Sequence, residues 1–262
     1  MTDKKTAVVT GSNSGIGLGI ARSLAAEGHN VVINSYTDSD DDHGLAAEIA
    51  KEHGNDTVYV SADLSKADMS RMLVEKAAEK FGAVDILVNN AGIQHVALIE
   101  DFPIGKWDAI IAINMSSAFH TSAVAVPMMK ENGWGRIVNV ASAHGLTASP
   151  YKAAYVAAKH GVVGLSKVTA LEFAEAKINA TCNALCPSYV LTPLVEGQIE
   201  DQMKAHGMDR EEVLDKIMLT RQPTRQFATV EQMGATTVFL CSEAASQITG
   251  TAISVDGGWT AL

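Results

Sequence analysis

The sequence predicts an α/β fold with one doubly wound, parallel sheet of seven strands and helices on both of its faces. Short segments rich in β-branched residues alternate with longer amphipathic segments, which is typical of strands joined by helical crossovers. Hydrophobic residues make up 47% of the 262 residues, but aromatic residues only 5%. Small aliphatic side chains suit a parallel sheet covered on both faces. The length fits a single domain spanning residues 1–262.

Each predicted element follows from its own stretch of sequence. Short runs of β-branched and other apolar residues predict strands at residues 6–10, 30–34, 57–61, 86–89, 136–141, 178–184 and 252–255. Helical periodicity occurs between them at residues 15–27, 44–53, 66–81, 104–131, 152–176 and 230–241. We interpret the short acidic run at 38–42 as a solvated loop. Right-handed crossovers would place ligands beyond the carboxyl ends of the strands.

One segment departs from the alternation of strands and helices. Residues 190–227 are polar, helix-rich and dotted with methionines, and Pro193 and Pro223 lie near the two ends. A segment inserted after the sixth strand would lie over the ligand cleft. We therefore expect a helical lid near residues 190–220 that gates the site.

Charge and cysteine usage limit the classes of partner. Lys+Arg 20 against Asp+Glu 30 gives a net charge of −10, which argues against nucleic acid or an anionic membrane as partner. No apolar run approaches the roughly 18 residues of a membrane span. The three cysteines have no metal-ligand spacing, so we expect buried thiols in a reducing cytoplasm and no metal site.

A glycine-rich loop follows the first predicted strand directly. Gly11, Gly15 and Gly17 have the spacing G-x3-G-x-G and lead into a helical pattern. Glycines permit a tight turn and close backbone approach, and the following helix N-terminus can face a pyrophosphate. A glycine-rich turn without a ligand is the alternative. The strand before it and the helix after it favour dinucleotide binding.

The end of the second predicted strand bears on the choice of cofactor. An acidic residue there would bind the ribose 2′-hydroxyl of NAD, and an arginine would bind the 2′-phosphate of NADP. Ser35 occupies the expected place, so neither is present. However, no Lys or Arg lies between Arg22 and Lys51, and Asp38, Asp40, Asp41 and Asp42 would repel a phosphate. The sequence therefore favours NAD.

Two polar positions each allow two interpretations. Asp63, with Leu64, follows the third strand and can contact adenine, or it can cap the next helix. Asn114 lies in an apolar helical setting, where an amide is costly unless it is hydrogen-bonded. It either holds a water near Lys159 in a kinked helix or caps backbone groups in the core.

Tyr155, Lys159 and Ser142 form a candidate catalytic set. Tyr155 and Lys159 are four residues apart in a helical pattern, so both side chains can point into one cleft. A neighbouring cation would lower the pKa of the phenol from about 10, as a general acid/base requires. Ser142 can then hold the reacting oxygen. The spacing Y-x3-K alone also arises by chance on exposed helices.

Taken together, the glycine loop, the Asn-Asn-Ala-Gly element at 89–92, Asn114, Ser142, Tyr155 and Lys159 resemble a short-chain dehydrogenase/reductase. The resemblance covers nearly the whole chain in the expected order. It implies a Rossmann-like fold, a nicotinamide cofactor and a homotetramer. It also implies that Tyr155 is the catalytic acid/base, that Ser142 orients the substrate oxygen and that Asn114 supports a water. Lys159 would bind the nicotinamide ribose and lower the pKa of Tyr155.

The predicted cofactor-binding residues follow from the loops and the resemblance together. Thr192 and the backbone near Val190 would hold the carboxamide, as the resemblance implies. The full set is Gly11, Asn13, Gly15, Ile16, Gly17, Tyr36, Asp63, Leu64, Asn90, Ala91, Gly92, Tyr155, Lys159, Pro187, Val190 and Thr192.

Further polar residues surround the presumed pocket and bear on the substrate. Lys152 lies three residues before Tyr155 on the same predicted helix face, and Gln94, His144 and Gln198 lie in nearby loops or the lid. A lysine at a helix start is usually a solvated charge, and a histidine after a strand is often a loop hydrogen-bonder. One cation among several amide and imidazole donors nevertheless suits a small carboxylate.

The strings at 89–95, 141–146 and 255–259 resemble the bacterial D-3-hydroxybutyrate dehydrogenase branch of that family. This resemblance implies reversible, NAD-dependent oxidation of (R)-3-hydroxybutyrate to acetoacetate, a small hydroxy and keto acid pair. It also implies that Gln94, His144, Lys152 and Gln198 bind the carboxylate and that Trp259 contributes to an apolar wall. The predicted substrate-binding set is Gln94, Ser142, His144, Lys152, Tyr155, Tyr189, Gln198 and Trp259.

One position departs from the pattern of that branch. After Pro187 we would expect Gly-Trp, and this chain has Ser188-Tyr189. Tyr189 keeps an aromatic wall but is smaller, so slightly longer 3-hydroxy acids could fit. The nearest rival is an NADPH-dependent 3-oxoacyl-thioester reductase, which would want basic residues near the adenosine ribose. A non-catalytic dinucleotide-binding protein is a remote alternative, because it would not need the set Ser142, Tyr155 and Lys159.

Overall fold

The computed structural model describes residues 4–262, in which seven strands form one parallel sheet. The order across the sheet is β3-β2-β1-β4-β5-β6-β7. The strands are β1 (Thr6–Val9), β2 (Asn30–Ser35), β3 (Thr57–Ser61), β4 (Ile86–Asn89), β5 (Trp134–Val140), β6 (Asn179–Pro187) and β7 (Ala252–Val255). The predicted doubly wound sheet of seven parallel strands is confirmed. The reversal of strand order beside β1 marks the point where such sheets bind ligands.

Nine helices connect the strands within the described residues. They are α1 (Gly15–Ala26), α2 (Asp40–His53), α3 (Ala67–Phe81), α4 (Ile104–Ile111), α5 (Ser117–Asn132), α6 (Ala153–Glu175), α7 (Pro193–His206), α8 (Arg210–Val213) and α9 (Val230–Cys241). A π-helical turn at Ala112–Ser116 joins α4 to α5, and another at Leu214–Met218 follows α8.

Alternate side chains of each strand enter separate cores on the two faces of the sheet. Val9 of β1 packs in a cluster with Leu24 of α1. Its neighbour Val8 faces the other way and joins Leu73 of α3 and Phe173 of α6. Successive side chains of a strand point to opposite faces of the sheet, so both sets are buried when helices cover both faces. The loops that join strands and helices gather at the ends of the strands.

The acidic run 38–42 is not the solvated loop that we expected, because α2 begins inside it at Asp40. Ser39 caps the helix: its Oγ accepts a bond from Asp42 N (3.3 Å), and Asp42 Oδ2 accepts one from Ser39 N (3.2 Å). Carboxylates in a first turn also interact favourably with the helix dipole. Asp42 is only 6% exposed. The acidic run is therefore a helix start with one buried carboxylate.

The stretch from α4 through the π-helical turn to α5 is one long apolar helix. By length and composition it could cross a membrane, although a buried core helix passes the same test. Our expectation that no apolar run approaches such a length is therefore wrong. Within the fold, α5 packs against α3 and β5, and Ala125 and Met129 on α5 are fully buried.

The segment after β6 forms a small unit of its own, as the composition of residues 190–227 predicts. Val195 and Ile199 on α7 bury their side chains against Val213 and Met218. A parallel bridge ties the two ends of the segment together: Leu191 N donates to Ala228 O (3.0 Å), and Ala228 N donates to Tyr189 O (3.0 Å). We call residues 190–228 the lid segment.

Candidate active site

A cavity of about 550 Å³ lies at the carboxyl ends of the strands, from β2 and β3 across to β5 and β6. Of the predicted cofactor-binding residues, all except Gly17 and Val190 line it. Val190 is instead buried in the core and bridges Ala228. The predicted substrate residues Gln94, Ser142 and Tyr155 also line the cavity. The sheet topology thus brings residues far apart in sequence into one elongated site.

The glycine loop packs so closely against its neighbours that Gly11 and Gly17 have no room for a side chain. Gly11 has φ +59°, and a Cβ there would lie 2.9 Å from Ala91 Cα. A Cβ on Gly17 would lie 2.4 Å from both Asn90 Nδ2 and Gly11 O. Only glycine fits such approaches without a shift. Gly17 therefore packs α1 closely against Asn90 and the glycine loop, and its contact with a cofactor stays a prediction.

The Asn89–Gly92 element is bonded across the loop, as the sequence indicates. Asn90 Nδ2 donates to Thr10 O (2.9 Å) and Gly11 O (2.8 Å). Thr10 Oγ1 in turn accepts from Asn90 N (2.9 Å) and Ala91 N (3.0 Å). These bonds fix the end of β4 against the glycine loop, and both form the floor of the cavity.

Tyr36 and Asp63 mark the end of the cavity near β2 and β3. The ring of Tyr36 is 78% exposed at the cavity wall, where it can flank a planar base. Asp63 Oδ1 accepts bonds from Ser65 N (3.0 Å) and Ser65 Oγ (2.7 Å). These bonds lower the pKa of Asp63. Asp63 therefore lines the cavity and fixes the turn at Ser65, but it is not the cap of α3, whose N-cap residue is Lys66, so that interpretation is wrong.

Asn13 links this end of the cavity to a buried negative charge. Asn13 Nδ2 donates to Asp42 Oδ1 (2.9 Å), while Thr37 Oγ1 and Ser39 Oγ donate to Asp42 Oδ2 (2.8 Å each). The bond from Asn13 is the largest cause that lowers the pKa of Asp42 to about 2. Asp42 is therefore ionised at neutral pH directly behind a residue of the cavity wall.

Tyr155, Ser142 and Lys159 meet at the opposite end of the cavity. Lys159 is 3% exposed, and its Nζ donates to Val140 O (2.7 Å) and lies 5.7 Å from the centroid of the Tyr155 ring. Burial lowers the pKa of Lys159 to about 8. The α6 helix thus presents phenol and ammonium to one cleft, as the spacing of four residues predicts.

The expected lowering of the Tyr155 pKa is not what the structure shows. Burial of the phenol raises its pKa, and the neighbouring Ser142 hydroxyl only partly opposes this. The ammonium of Lys159 is directed at the Val140 carbonyl and has no resolved effect on Tyr155. The expected lowering of the Tyr155 pKa by Lys159 is therefore not found in this arrangement, where burial of the phenol is the main cause of the shift.

Asn114 sits in the π-helical turn between α4 and α5 and is 3% exposed. Its Oδ1 accepts from Ile93 N (2.8 Å), and its Nδ2 donates to Ile93 O (2.9 Å). The side chain thus satisfies backbone groups, which was the second of our two interpretations. The irregular turn matches the kinked helix of the first interpretation, and π-helical turns of this kind are frequent at functional sites.

His144 connects the reacting end to an aromatic wall. It is 5% exposed, and its ring centroid lies 6.0 Å from that of Tyr155 and 5.2 Å from that of Trp259. Tyr189 extends the wall, with its ring 6.1 Å from Trp259. Burial, followed by the charge of Lys152, lowers the pKa of His144 to about 4. The imidazole is therefore neutral at pH 7, and its Nε2 shares a hydrogen bond with Ser149 Oγ (2.8 Å).

Lys152 and Gln198 have different surroundings. Lys152 immediately precedes α6 and is half-buried, and burial is the main reason that its pKa is lowered. Gln198 is half-buried on α7 and lies outside the cavity lining. The packing of Val195 and Ile199 holds α7 in this position. A contact between Gln198 and a substrate carboxylate stays a prediction.

Sequence reasoning missed Arg221, which lies at the C-terminal part of the lid segment. Its guanidinium carbon is 6.0 Å from the centroid of the Trp259 ring. Its positive charge is a further cause of the lowered pKa values of His144 and Lys152. The signal in the sequence was the basic residue two positions before Pro223, but only the folding of the lid segment brings it near His144.

Comparison with known proteins agrees with the geometry of the site. Residues 11–260 match a family model described as enoyl-(acyl carrier protein) reductase, which is a model of short-chain dehydrogenases. The chain belongs to the short-chain dehydrogenase/reductase family. Membership in this family implies a nicotinamide dinucleotide cofactor.

Relatives in the short-chain dehydrogenase/reductase family are similar over the whole length. The chain is 54% identical over 262 residues to D-beta-hydroxybutyrate dehydrogenase of Cupriavidus necator, with 100% of both chains covered. It is 52% identical over 257 residues to D-beta-hydroxybutyrate dehydrogenase of Rhizobium meliloti, covering 98% of this chain and 99% of the relative. The 3-oxoacyl-[acyl-carrier-protein] reductase FabG of Staphylococcus aureus is 35% identical over 254 residues, covering 97% of each chain.

The cavity fits the nicotinamide dinucleotide that members of the short-chain dehydrogenase/reductase family use. The glycine loop and the N-terminus of α1 form its centre, where backbone N–H groups suit a pyrophosphate. Tyr36 and Asp63 line the β2 and β3 end of the cavity, and Tyr155 and Lys159 line the β5 and β6 end. The cavity is thus extended on both sides of the glycine loop, as an elongated dinucleotide requires.

Proposed function

We propose that the protein is an NAD-dependent dehydrogenase that interconverts (R)-3-hydroxybutyrate and acetoacetate. The observation that carries this proposal is the position of Tyr155 and Ser142 in the cavity, next to His144, which contacts an aromatic wall and is influenced by the charges of Lys152 and Arg221. A hydroxyl-activating pair beside a cationic pocket suits a small hydroxy acid. The names of the two relatives that are more than 50% identical support the same substrate.

Each residue around the cavity has its own role in the proposed reaction. Tyr155 takes the proton of the substrate hydroxyl during oxidation and returns it during reduction. Ser142 donates to the substrate oxygen as a carbonyl forms there, and buried Lys159 holds the nicotinamide ribose. When bound, the cofactor supplies the site that accepts or gives the hydride. Trp259 and Tyr189 exclude water from the methyl end of the substrate.

A spectrophotometric assay with the purified protein tests this function. We expect oxidation of NADH with acetoacetate and reduction of NAD with (R)-3-hydroxybutyrate, but not with the S enantiomer. Turnover that requires NADPH and an acetoacetyl thioester would instead identify a 3-oxoacyl-thioester reductase. Binding of NADH without turnover of either substrate would leave a dinucleotide-binding protein, and it would contradict the proposal.

Asp42 supports NAD over NADP in this proposal. Replacing Asp42 with Asn should lower the ratio of the NADPH dissociation constant to the NADH dissociation constant by about tenfold or more. The reason is that the variant removes a negative charge behind the part of the cavity wall that the 2′-phosphate of NADPH would face. The measurement is the ratio of the two dissociation constants from fluorescence titrations. Because both dissociation constants are measured on the same variant, a partial loss of folding affects both and cancels in their ratio.

Asp41→Asn is the matched control for this prediction. Asp41 lies next to Asp42 in the first turn of α2 and carries the same charge, but its side chain is exposed. The control should leave the ratio within about twofold of wild type, since exposed charges are screened by solvent. Equal effects of the two variants would mean that net charge, not the position of Asp42, sets the preference.

The raised pKa of Tyr155 predicts opposite pH profiles for the two directions of the reaction. Oxidation needs the phenolate, so its kcat/KM should rise about tenfold per pH unit from about pH 7 to about pH 9. Reduction of acetoacetate uses the protonated phenol and should be nearly flat over the same range. Initial rates in both directions provide the test. A plateau of the oxidation rate already at neutral pH would contradict a raised pKa.

We further propose a homotetramer in a reducing cytoplasm, acting on small molecules and not on nucleic acid or membranes. Exposed apolar side chains support assembly: Phe119 on α5 and Val168 and Leu171 on α6 are each more than half exposed. The three cysteines are free and buried, which suits a reducing compartment. Light scattering at several concentrations tests the tetramer.

A further inference from the structure

Arg221 is attached to the wall of the pocket through the loop that follows β5. Its Nη1 donates to Ala148 O (3.3 Å) and Ser149 Oγ (3.2 Å). Ser149 Oγ also shares a hydrogen bond with His144 Nε2 (2.8 Å). One hydroxyl therefore joins the guanidinium of the lid segment to the imidazole that faces Tyr155.

The guanidinium also lies near the aromatic wall. Its central carbon is 6.0 Å from the Trp259 ring centroid, within the range of a cation–π interaction. Trp259 is itself buried between His144 and Tyr189. Arg221 is thus held in position by two independent contacts, while its Nη2 and Nε have no hydrogen-bond partner among residues 4–262.

Arg221 and Lys152 place two positive charges near His144, beside the cavity lining rather than in it. None of the ion pairs formed within the described part of the chain includes either residue. The charge of Arg221 adds to burial in lowering the pKa of Lys152. Like charges that approach each other without an acid between them are unfavourable. An anion bound between them would remove that cost.

Another arginine of the lid segment has a different environment. Arg210 forms a two-pronged ion pair with Glu196 on the surface, with distances of 2.7 and 2.9 Å. Its charge is compensated by a neighbour, whereas Arg221, which is also exposed, has hydrogen bonds only to Ala148 O and Ser149 Oγ and no carboxylate partner among residues 4–262. Arg221 thus differs from Arg210 in having its positive charge uncompensated next to the loop that carries His144 and Ser149.

We propose that Arg221 is a second cationic ligand of the substrate carboxylate, which it grips together with Lys152. This inference rests on the proposed function, because it takes the substrate to be a small carboxylate. The planar guanidinium can donate Nη2 and Nε to the two carboxylate oxygens at once. Since Arg221 belongs to the lid segment and Lys152 to α6, the carboxylate holds these two parts of the molecule together.

The test compares a charged and a neutral ligand in the complex of the enzyme with NAD, where no turnover takes place. The dissociation constants of acetoacetate and of acetoacetamide, which has the same shape without the charge, are measured by calorimetry. Arg221→Gln should weaken acetoacetate about 10- to 100-fold, as expected for loss of a charge-assisted bond. It should change acetoacetamide by less than about twofold. Arg221→Lys should restore part of the affinity for acetoacetate, because it keeps the positive charge but not the paired N–H donors of the guanidinium.

Arg210→Gln is the matched control, and it should leave both dissociation constants unchanged. A similar loss for acetoacetate and acetoacetamide in Arg221→Gln would show that Arg221 only supports the wall, and it would overturn the proposal. An unchanged affinity for acetoacetate would also overturn it. If the wild-type enzyme does not bind acetoacetate, the proposed function fails first and this inference fails with it. A wild-type enzyme that binds acetoacetate but shows no dependence on Arg221 contradicts the inference alone.

Discussion

Replacing Tyr155 with Phe is expected to lower kcat in both directions by about 10²–10⁴-fold, the usual contribution of a general acid/base. The variant removes only the hydroxyl, because a phenyl ring can keep the edge contact with His144 at 6.0 Å. The cavity lining stays otherwise the same, so NADH should bind with an affinity within about twofold of wild type. Steady-state rates and a fluorescence titration with NADH measure the two quantities.

Tyr151→Phe is the matched control for this experiment. Tyr151 lies four residues earlier, is 54% exposed and does not belong to the lining of the cavity. The same chemical change there should leave kcat unaffected. Retained turnover in Tyr155→Phe would remove Tyr155 from the chemistry. A parallel loss of NADH binding would show that the variant damages the site as a whole.

Replacing Lys152 with Ala is expected to raise the KM for acetoacetate about 10- to 100-fold, with a smaller change in kcat. The physical reason is the loss of a charge-assisted hydrogen bond to the carboxylate, which acts in the ground state and the transition state alike. The Lys152 side chain forms no cap of α6, so the start of that helix does not depend on it. Initial rates over a range of acetoacetate concentrations provide the measurement.

Lys167→Ala is the matched control on the same helix. Lys167 is exposed on α6, two turns or more beyond Lys159, and it faces away from the cavity lining. It should leave the KM unchanged, since the loss of one distant surface charge has little effect in moderate salt. An unchanged KM in Lys152→Ala would contradict a carboxylate site at this position and favour a neutral substrate.

The fold was predictable because its signals are local. Alternation of β-branched and amphipathic segments located all seven strands, and the strand ends agree within three residues. The start of α2 was also visible, since Ser39 and Asp42 have the spacing of a capping box. We treated that run as charges alone and missed the first turn of the helix, which we predicted to begin at residue 44. A capping residue three positions before a carboxylate is a stronger signal than the net charge of the run.

The site was predictable where it depends on residue types and not where it depends on distances. Ser142, Tyr155 and Lys159 line one cavity, as their spacing and the family resemblance indicate. The pKa of Tyr155 depends on the balance between burial and a charge, and no sequence pattern contains that balance. Arg221 lies 69 residues from Lys152 in sequence, and only the folded lid segment brings them to one pocket.

The bridge between Val190 and Ala228 means that the lid segment begins and ends at nearly the same point in space. A loop closed in this way can be exchanged as a cassette without shifting the sheet, because its two attachment points keep their separation. Val195, Ile199, Val213 and Met218 form an apolar cluster within the segment, so a transplanted segment would carry its own packing. Swapping residues 191–227 between relatives would therefore exchange Gln198 and Arg221 together while Ser142, Tyr155 and Lys159 stay in place.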